Sequence, residues 1–513
     1  MAKSTSKTST RSKKTKQALM GWKLKSFLKD SAATAKLKKF DGTVYYLGDA
    51  DAFKAISEDI KDEVGPFQAK TLSSKKTVQK LVTDDGIIWV VIPQVGDQGI
   101  NSRNRGRLAP SPYSRARELM GSVLGDIESS AVKQVKIVGE HCSDDEKRGL
   151  LVGAELAAYT FRKALGNQSS DLKIYWDGFS KALVDEAANL GVGTNLARHL
   201  VNVPPNELYP ESYSQTVKDL FDGLAGVKVT VWDENKLARE NMGLIQAVGN
   251  AAQHKPRLVH IRYRPRGASK QKPLVFVGKG ITFDSGGLDI KPAMGMRYMK
   301  KDMGGSAALV GMFYGLVHNN LKKAIDIYLP MAENAIAGNA FRPGDIYTAR
   351  SGKTVEIHNT DAEGRLILAD ALSLAAEQSG DHKAQSIINV ATLTGAVKVG
   401  LGVGMGGFFS NDDALVEKIE ESSQGSGDLM WEMPLFDDYK SQLKSSVADI
   451  NHCSTSGFGG AVTAALFLHA FVEEASFAHF DIYSWMDRPK GALRESGGSG
   501  QGVQCLYQLV QSY

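Results

Sequence analysis

The stretch Val277-Gly278-Lys279-Gly280-Ile281-Thr282-Phe283-Asp284-Ser285-Gly286-Gly287-Leu288-Asp289-Ile290-Lys291-Pro292 decides the reading of this chain. It continues an apolar run, residues 274–277, whose β-branched and aromatic side chains predict a buried strand. Glycines and charges follow at once. In an open α/β sheet, ligands bind beyond the carboxyl ends of the strands, and this segment begins at such an end. Working outward, residues 227–232, 258–263, 324–329 and 386–390 read as further strands, and 307–318 and 366–377 as helices. Apolar strands separated by helices imply a mostly parallel sheet covered on both faces.

Two more segments put charge where burial is expected. Met299-Lys300-Lys301-Asp302-Met303-Gly304-Gly305 enters a helix of small residues, and Asn359-Thr360-Asp361-Ala362-Glu363-Gly364-Arg365-Leu366 opens another. Asp284, Asp302, Asp361 and Glu363 thus sit at strand ends and helix starts. Brought together without counter-charge, four carboxylates repel and their pKa values rise. Divalent cations remove that penalty, and an oxygen-rich set suits Mg, Mn or Zn, with paired metals a recurrent hydrolytic device. Taken alone, Asp361 reads equally well as a helix N-cap and Glu363 as a favourable first-turn acid. The three segments together favour the metal site. Lys279, five residues before Asp284, becomes a candidate ligand, because a nearby dication disfavours its ammonium form. Lys291 and Arg365 remain as cations, and Arg365 offers a planar fork for an oxyanion.

Composition supports a folded chain of ordinary globular make-up. The 513 residues are 42% hydrophobic and 23% charged, which excludes a collagen-like or mainly disordered chain. No apolar run approaches the length that crosses a bilayer. Cys142, Cys453 and Cys505 are far apart and odd in number, so neither a disulfide framework nor a Cys-based zinc site is expected. The net charge of +5 is misplaced in the chain: residues 1–29 hold nine Lys or Arg and no acid, so the remainder stands at −4. Residues 1–22 read as a disordered basic leader: a solvated tail, a targeting peptide or a nucleic-acid-binding arm. Residues 23–178 alternate short strands (44–47, 87–92, 135–138, 174–176) with helices (115–124, 150–164) and read as a smaller α/β domain without a metal or acid–base cluster. Residues 179–202 read as a connecting helix that ends before Pro204-Pro205, with Gly191 and Gly193 weakening its middle. Residues 203–513 form the larger α/β domain with the central sheet and the metal site.

The octapeptide Asn359 to Leu366 resembles the signature of the leucyl aminopeptidases, the M17 family of dimetal cytosol aminopeptidases. Val201-Asn202-Val203-Pro204-Pro205-Asn206, Gly278 to Gly287, Arg342-Pro343-Gly344-Asp345, Ser351 to Glu356, Ala391-Thr392-Leu393-Thr394-Gly395-Ala396, Met433-Pro434-Leu435 and Ala448-Asp449-Ile450 carry the likeness over roughly residues 180–490. The resemblance implies a metallo-exopeptidase that releases N-terminal residues, preferring Leu and other apolar ones, by attack of a water activated between two metals (Zn, Mn or Co). It implies Lys279, Asp284, Asp302, Asp361 and Glu363 as metal ligands. Lys291 is expected to stabilise the oxyanion, and Arg365 to hold a bicarbonate that acts as general base. Asp302 is expected to meet the substrate amine, and Met299, Thr392, Leu393, Gly395 and Met486 to surround the substrate. It further implies a homohexamer, a dimer of trimers acting on peptides, in the cytoplasm, with a mitochondrial address as the alternative that the leader raises.

The family usually reads Asp-Ile-Ala-Gly where this chain has Asp481-Ile482-Tyr483-Ser484, so Tyr483 is expected to narrow the pocket. Gly402-Val403-Gly404-Met405-Gly406-Gly407 matches GxGxxG, but the preceding strand ends near Val390, too far upstream for a pyrophosphate loop. His358 and His452 read as hydrogen-bonded structural residues. The rival function is a non-catalytic DNA-binding or regulatory role served by the basic leader; a pure binding protein needs none of the five ligands.

Overall fold

The computed structural model describes residues 19–33, 39–48, 50–93, 108–168, 170–268, 271–472 and 474–513. Strands β1 (Gly42–Tyr46), β2 (Val78–Thr83), β3 (Gly86–Val91), β4 (Gln134–Val138) and β5 (Lys173–Asp177) make the N-terminal sheet, in the order β2-β3-β1-β4-β5. Its pairings are parallel except for the β2–β3 hairpin. β2, unforeseen in the sequence, alternates exposed Val78, Lys80 and Val82 with buried Gln79 and Leu81, as suits an edge strand. The helix expected over 150–164 runs Asp144–Ala158 instead. Ser143 and Glu146 cap each other's backbone N–H at its start, and Thr160 starts a separate turn, Phe161–Leu165.

The larger sheet uses β6 (Val227–Trp232), β7 (Arg257–Tyr263), β8 (Leu274–Gly278), β9 (Gly280–Asp284) and β10 (Ile325–Asn334). After β11 (Ile346–Thr348) and β12 (Thr354–Glu356) it takes in β13 (Ser386–Ala391), β14 (Gly406–Ser410), β15 (Met430–Glu432) and, beyond β16 (Ile450–Asn451), β17 (Phe477–Asp481). The order is β15-β14-β17-β13-β8-β10-β7-β6, while β11, β12 and β16 form a small separate sheet. The centre, β17-β13-β8-β10, is parallel. Alternate residues of β8 enter different cores: Leu274 and Phe276 pack with the helix Gly304–His318, Val275 and Val277 with the helix Glu363–Ala376. Every residue of β8 is therefore buried, which is why its sequence shows no polar alternation. The fold is thus α/β in two domains, a smaller N-terminal one and a larger one built on a central, mostly parallel sheet.

β8 and β9 are one strand interrupted at Lys279. β10 pairs in parallel with β8 up to Tyr328↔Val277 and with β9 from Met331↔Gly280 onward. Pro330, which has no N–H to give a ladder, falls in this gap.

The expected connecting helix runs Lys181–Asn202 and stops at Val203, held extended before Pro204. Its glycines have a packing reason. A Cβ on Gly193 would sit 2.3 Å from the Gly311 carbonyl oxygen, and one on Gly311 would sit 2.4 Å from that of Gly193. The helices 181–202 and 304–318 touch backbone to backbone there. Residues 1–18 of the expected leader lie outside the described residues. Leu19 is buried, its carbonyl lies 2.9 Å from His199 Nε2, and Trp22 packs on the His199 ring at 4.6 Å. Among the described residues no helix is long and apolar enough to cross a membrane, and the three cysteines are free thiols.

Candidate metal centre

The interruption at Lys279 positions the site. Its backbone N–H donates to the Val390 carbonyl of β13 (3.0 Å), and its carbonyl accepts from Ser306 N–H (2.9 Å), so neighbouring elements grip both sides of the residue. The side chain then runs over the start of the helix 363–376. A Cβ on Gly364 would lie 2.4 Å from Lys279 Cε, so this position of the octapeptide needs glycine. Lys279 Nζ stands 2.7 Å from Asp302 Oδ2 and 3.0 Å from Glu363 Oε1, and donates to the Thr392 carbonyl (3.0 Å).

Asp284 ends β9. Its Oδ1 accepts from Gly286 N–H (2.9 Å) and Asn334 Nδ2 (2.8 Å), and its Oδ2 lies 2.8 Å from Lys291 Nζ. Asp302 follows the turn Met299–Lys301 and accepts the Thr392 hydroxyl at Oδ1 (2.8 Å). Asp361 sits on the turn Thr360–Ala362, where its N–H donates to Asn359 Oδ1 (2.8 Å); Lys291 Nζ contacts its Oδ1. Glu363 is the first residue of its helix and is 1% exposed. Asp284, Asp361 and Glu363 each bring one carboxylate oxygen within 4.8 Å of the others.

Electrostatics shows what this cluster lacks. Four carboxylates meet two ammonium groups, leaving two negative charges unmatched. Burial, then Asp284, pushes both Glu363 and Asp361 well above the usual carboxylate range. Burial pulls Lys279 down, but Asp302, Glu363 and Asp284 together hold it above its ordinary value. Burial likewise opposes Lys291, and Asp284 leads the carboxylates that raise it. Asp302 Oδ2, Asp361 Oδ1 and Glu363 Oε1 are buried without a well-directed hydrogen bond, although a lysine ammonium stands close to each. Hard oxygens, left short of donors and carrying excess negative charge, fit divalent cations. A dication among them would also reverse the balance at Lys279 and favour its neutral amine.

A cavity of about 660 Å³ opens onto the cluster. Lys279, Asp284, Lys291, Asp302 and Asp361 line it, as do Met299, Thr392, Leu393 and Gly395. Glu363 and Arg365 are buried behind that lining. Arg365 is 6% exposed, donates from Nη1 to the His452 carbonyl (2.9 Å) and has no partner at Nε. Met486 is not gathered with the others. It lines an adjoining hollow of about 1040 Å³ with Trp485, Leu119 and Arg117. Tyr483 does line the cavity over the acidic cluster.

His452 and His358 are held by protein groups: His452 Nε2 lies 2.8 Å from the Asn359 carbonyl, and His358 Nδ1 3.2 Å from that of Cys453. Burial pushes His452 down to about 3. The GxGxxG run follows the helix Gly395–Leu401 and leads into β14, the reverse of a strand–turn–helix phosphate loop.

Two supporting residues were given no role in the sequence reading, although Asp481 was noted in its motif. Asn334, fully buried at the end of β10, ties Asp284 Oδ1 to the Thr360 carbonyl (3.0 Å). Asp481, at the end of β17, accepts from Leu393 and Thr394 N–H (3.0 and 3.2 Å) and so shapes the 392–394 wall. Neither lies in a charged run; the available signal was a polar residue at the carboxyl end of an apolar strand.

The model of the cytosol aminopeptidase family, catalytic domain, matches residues 195–507. A probable cytosol aminopeptidase of Rhodopirellula baltica is 40% identical over 429 residues, covering 83% of this chain and 81% of that protein. One from Bdellovibrio bacteriovorus is 34% identical over 505 residues, covering 90% and 100%. Among solved structures, the cytosol aminopeptidase from Coxiella burnetii superposes with a TM-score of 0.80 at 28% identity, over 94% of this chain and 99% of that one. The bottromycin maturation enzyme BotP in complex with Mn gives 0.79 at 27%, over 92% and 99%. A likeness that spans both domains, together with an acidic cluster at the strand ends of the matched segment, places this chain in the cytosol aminopeptidase family.

Proposed function

We propose that the chain is a leucyl aminopeptidase, releasing Leu and other apolar residues from the N-termini of peptides. The observation that carries this reading is the convergence of Asp284, Asp302 and Asp361 on the lining of a cavity of about 660 Å³, with Glu363 buried behind them and three of their carboxylate oxygens buried without a well-directed hydrogen bond. Lys279, Asp284, Asp302, Asp361 and Glu363 hold two divalent metals, Zn, Mn or Co. Bound there, the metals supply Lewis acidity toward the peptide carbonyl and toward water.

The chain's own groups do the rest. Asp302 receives the free α-amine, which restricts cleavage to the first residue. Lys291, held by Asp284 and Asp361, directs its ammonium at the oxygen that gains charge as the carbonyl is attacked. Arg365, anchored to the His452 carbonyl with Nε to spare, holds the bicarbonate expected as general base. Met299, Leu393 and Gly395 offer an apolar wall to the first side chain, with Thr392 at its edge. The likeness also supports a cytoplasmic homohexamer, to be weighed by sedimentation.

The test is hydrolysis of leucine amide by the Mn-loaded protein, with and without chelator, in wild type and Asp361→Ala. Turnover that chelator abolishes, and that falls together with metal content in the variant, supports the reading. Full turnover at normal metal content in Asp361→Ala refutes the ligand set.

A further inference from the structure

The same cavity holds an ammonium without an ion-pair partner, although Asp302 and Asp481 act on it from a distance. Lys301 lines it, is 6% exposed, and makes no ion pair and no side-chain hydrogen bond among the described residues. The other lysines nearby differ. Lys279 and Lys291 each face two carboxylates, and Lys300 turns away to the Asn202 carbonyl (2.7 Å). Lys301 Nζ lies instead 4.6 Å from the centre of the Tyr483 ring. The same ring carries Lys398, whose Nζ is 4.3 Å from its centre and donates to the Tyr483 hydroxyl (3.0 Å). Asp487 also lines the cavity, but it is exposed and meets neither ammonium.

A buried, unpaired charge is costly, and contact with an aromatic face recovers only part of the cost. The exposed Lys398 places a second ammonium on the same ring, which offers neither of them a counter-charge. An arriving anion would settle this corner. The anion a peptidase cavity receives is a carboxylate of its substrate, either the C-terminal carboxylate of a dipeptide or the side chain of an acidic first residue.

We propose that Lys301, with Lys398 steadied on Tyr483, forms a carboxylate-receiving corner that selects peptides presenting that group close to the scissile bond. The proposal rests on the aminopeptidase reading and specifies which peptides that site prefers.

The test compares substrates differing by one charge, on the Mn-loaded full chain. Leu-Gly against Leu-Gly amide probes the dipeptide end; glutamyl against glutaminyl p-nitroanilide probes the first side chain. A charge-assisted hydrogen bond predicts an advantage of about tenfold to a hundredfold in kcat/KM for the charged member of one pair, chiefly through KM. Which pair shows it identifies the source. Lys301→Met should bring that ratio to about one, Lys301→Arg should keep most of it, and Tyr483→Ala should reduce it. If Lys301→Met does not fold, Lys398→Met and Tyr483→Phe provide the comparison, each lowering the ratio. Calorimetric binding of a phosphinic Leu-Gly analogue and its amide, and of glutamate and glutamine hydroxamates, reads the same preference without turnover. No charge preference in either pair, or one that persists in Lys301→Met, overturns the proposal. Absence of hydrolysis in every arm overturns the aminopeptidase reading instead, and the binding data then decide this one.

Discussion

Substituting Gly364 by Ala separates the architecture of the metal site from the stability of the fold. The added methyl would fall 2.4 Å from Lys279 Cε and 2.6 Å from Nζ, well inside contact distance. The helix backbone cannot retreat easily, because Glu363 and Arg365 on either side are both buried. The free end of Lys279 moves instead and leaves Asp302 and Glu363. Overpacking costs about 1–3 kcal/mol, and Ala in place of Gly in a helix returns up to about 1 kcal/mol. The net stability change is therefore about 0–3 kcal/mol. Catalysis has no such compensation: a displacement on the order of 1 Å at a catalytic group costs about 100-fold. The assay is kcat/KM on leucine amide beside metal content and a thermal melt. The expected result is at most a modestly lowered melt, loss of metal from the Lys279 side of the site, and turnover down about 100-fold. Wild-type turnover and metal content in a folded Gly364→Ala protein would refute the argument that Lys279 must occupy this space.

Gly311→Ala places a methyl 2.4 Å from a backbone carbonyl oxygen rather than from a movable side chain, so a loss of about 2–3 kcal/mol is expected in denaturant titration; a change under 0.5 kcal/mol would mean the helices 181–202 and 304–318 separate freely. His199 donates from Nε2 to Leu19 and accepts the Tyr159 hydroxyl at Nδ1, so it must stay neutral, and burial pushes it down from 6.5 to about 4. Its contribution is complete above pH 6.5 and is lost as pH falls through 4, by about 3 kcal/mol in all. Protection factors at residues 19–33, corrected for the intrinsic pH dependence of amide exchange, should fall over that window, and His199→Gln should remove that change; equal protection factors at pH 7.5 and 4.5 would contradict this. Arg365→Ala should slow turnover at least about 10-fold with metal retained and abolish any stimulation by bicarbonate; continued stimulation would remove Arg365 from that role.

Much of the site was legible because its residues lie in three short charged runs, each next to an apolar element. A carboxylate after residues 274–283 or at the head of an apolar helix is conspicuous, since burial without a partner is so costly. The strands of both sheets were legible for the same reason, from their apolar runs. Caps and edges were harder to see. Ser143 and Glu146 moved a helix start by six residues, and β2 has too few apolar positions to stand out.

The amino-acid order alone determined the α/β character and the acidic residues at strand ends and helix starts, while the glycines of the helix 181–202 showed their packing role only in the structure. The first two depend on residue type and local spacing. Tertiary structure alone decided that β8 breaks at Lys279, that Asn334 and Asp481 brace the site, that Met486 faces another hollow, and that Lys301 stands unpaired against Tyr483. Each of these is a meeting of residues far apart in the chain. Whether a charge finds a partner depends on distances of a few ångströms, which no local pattern encodes.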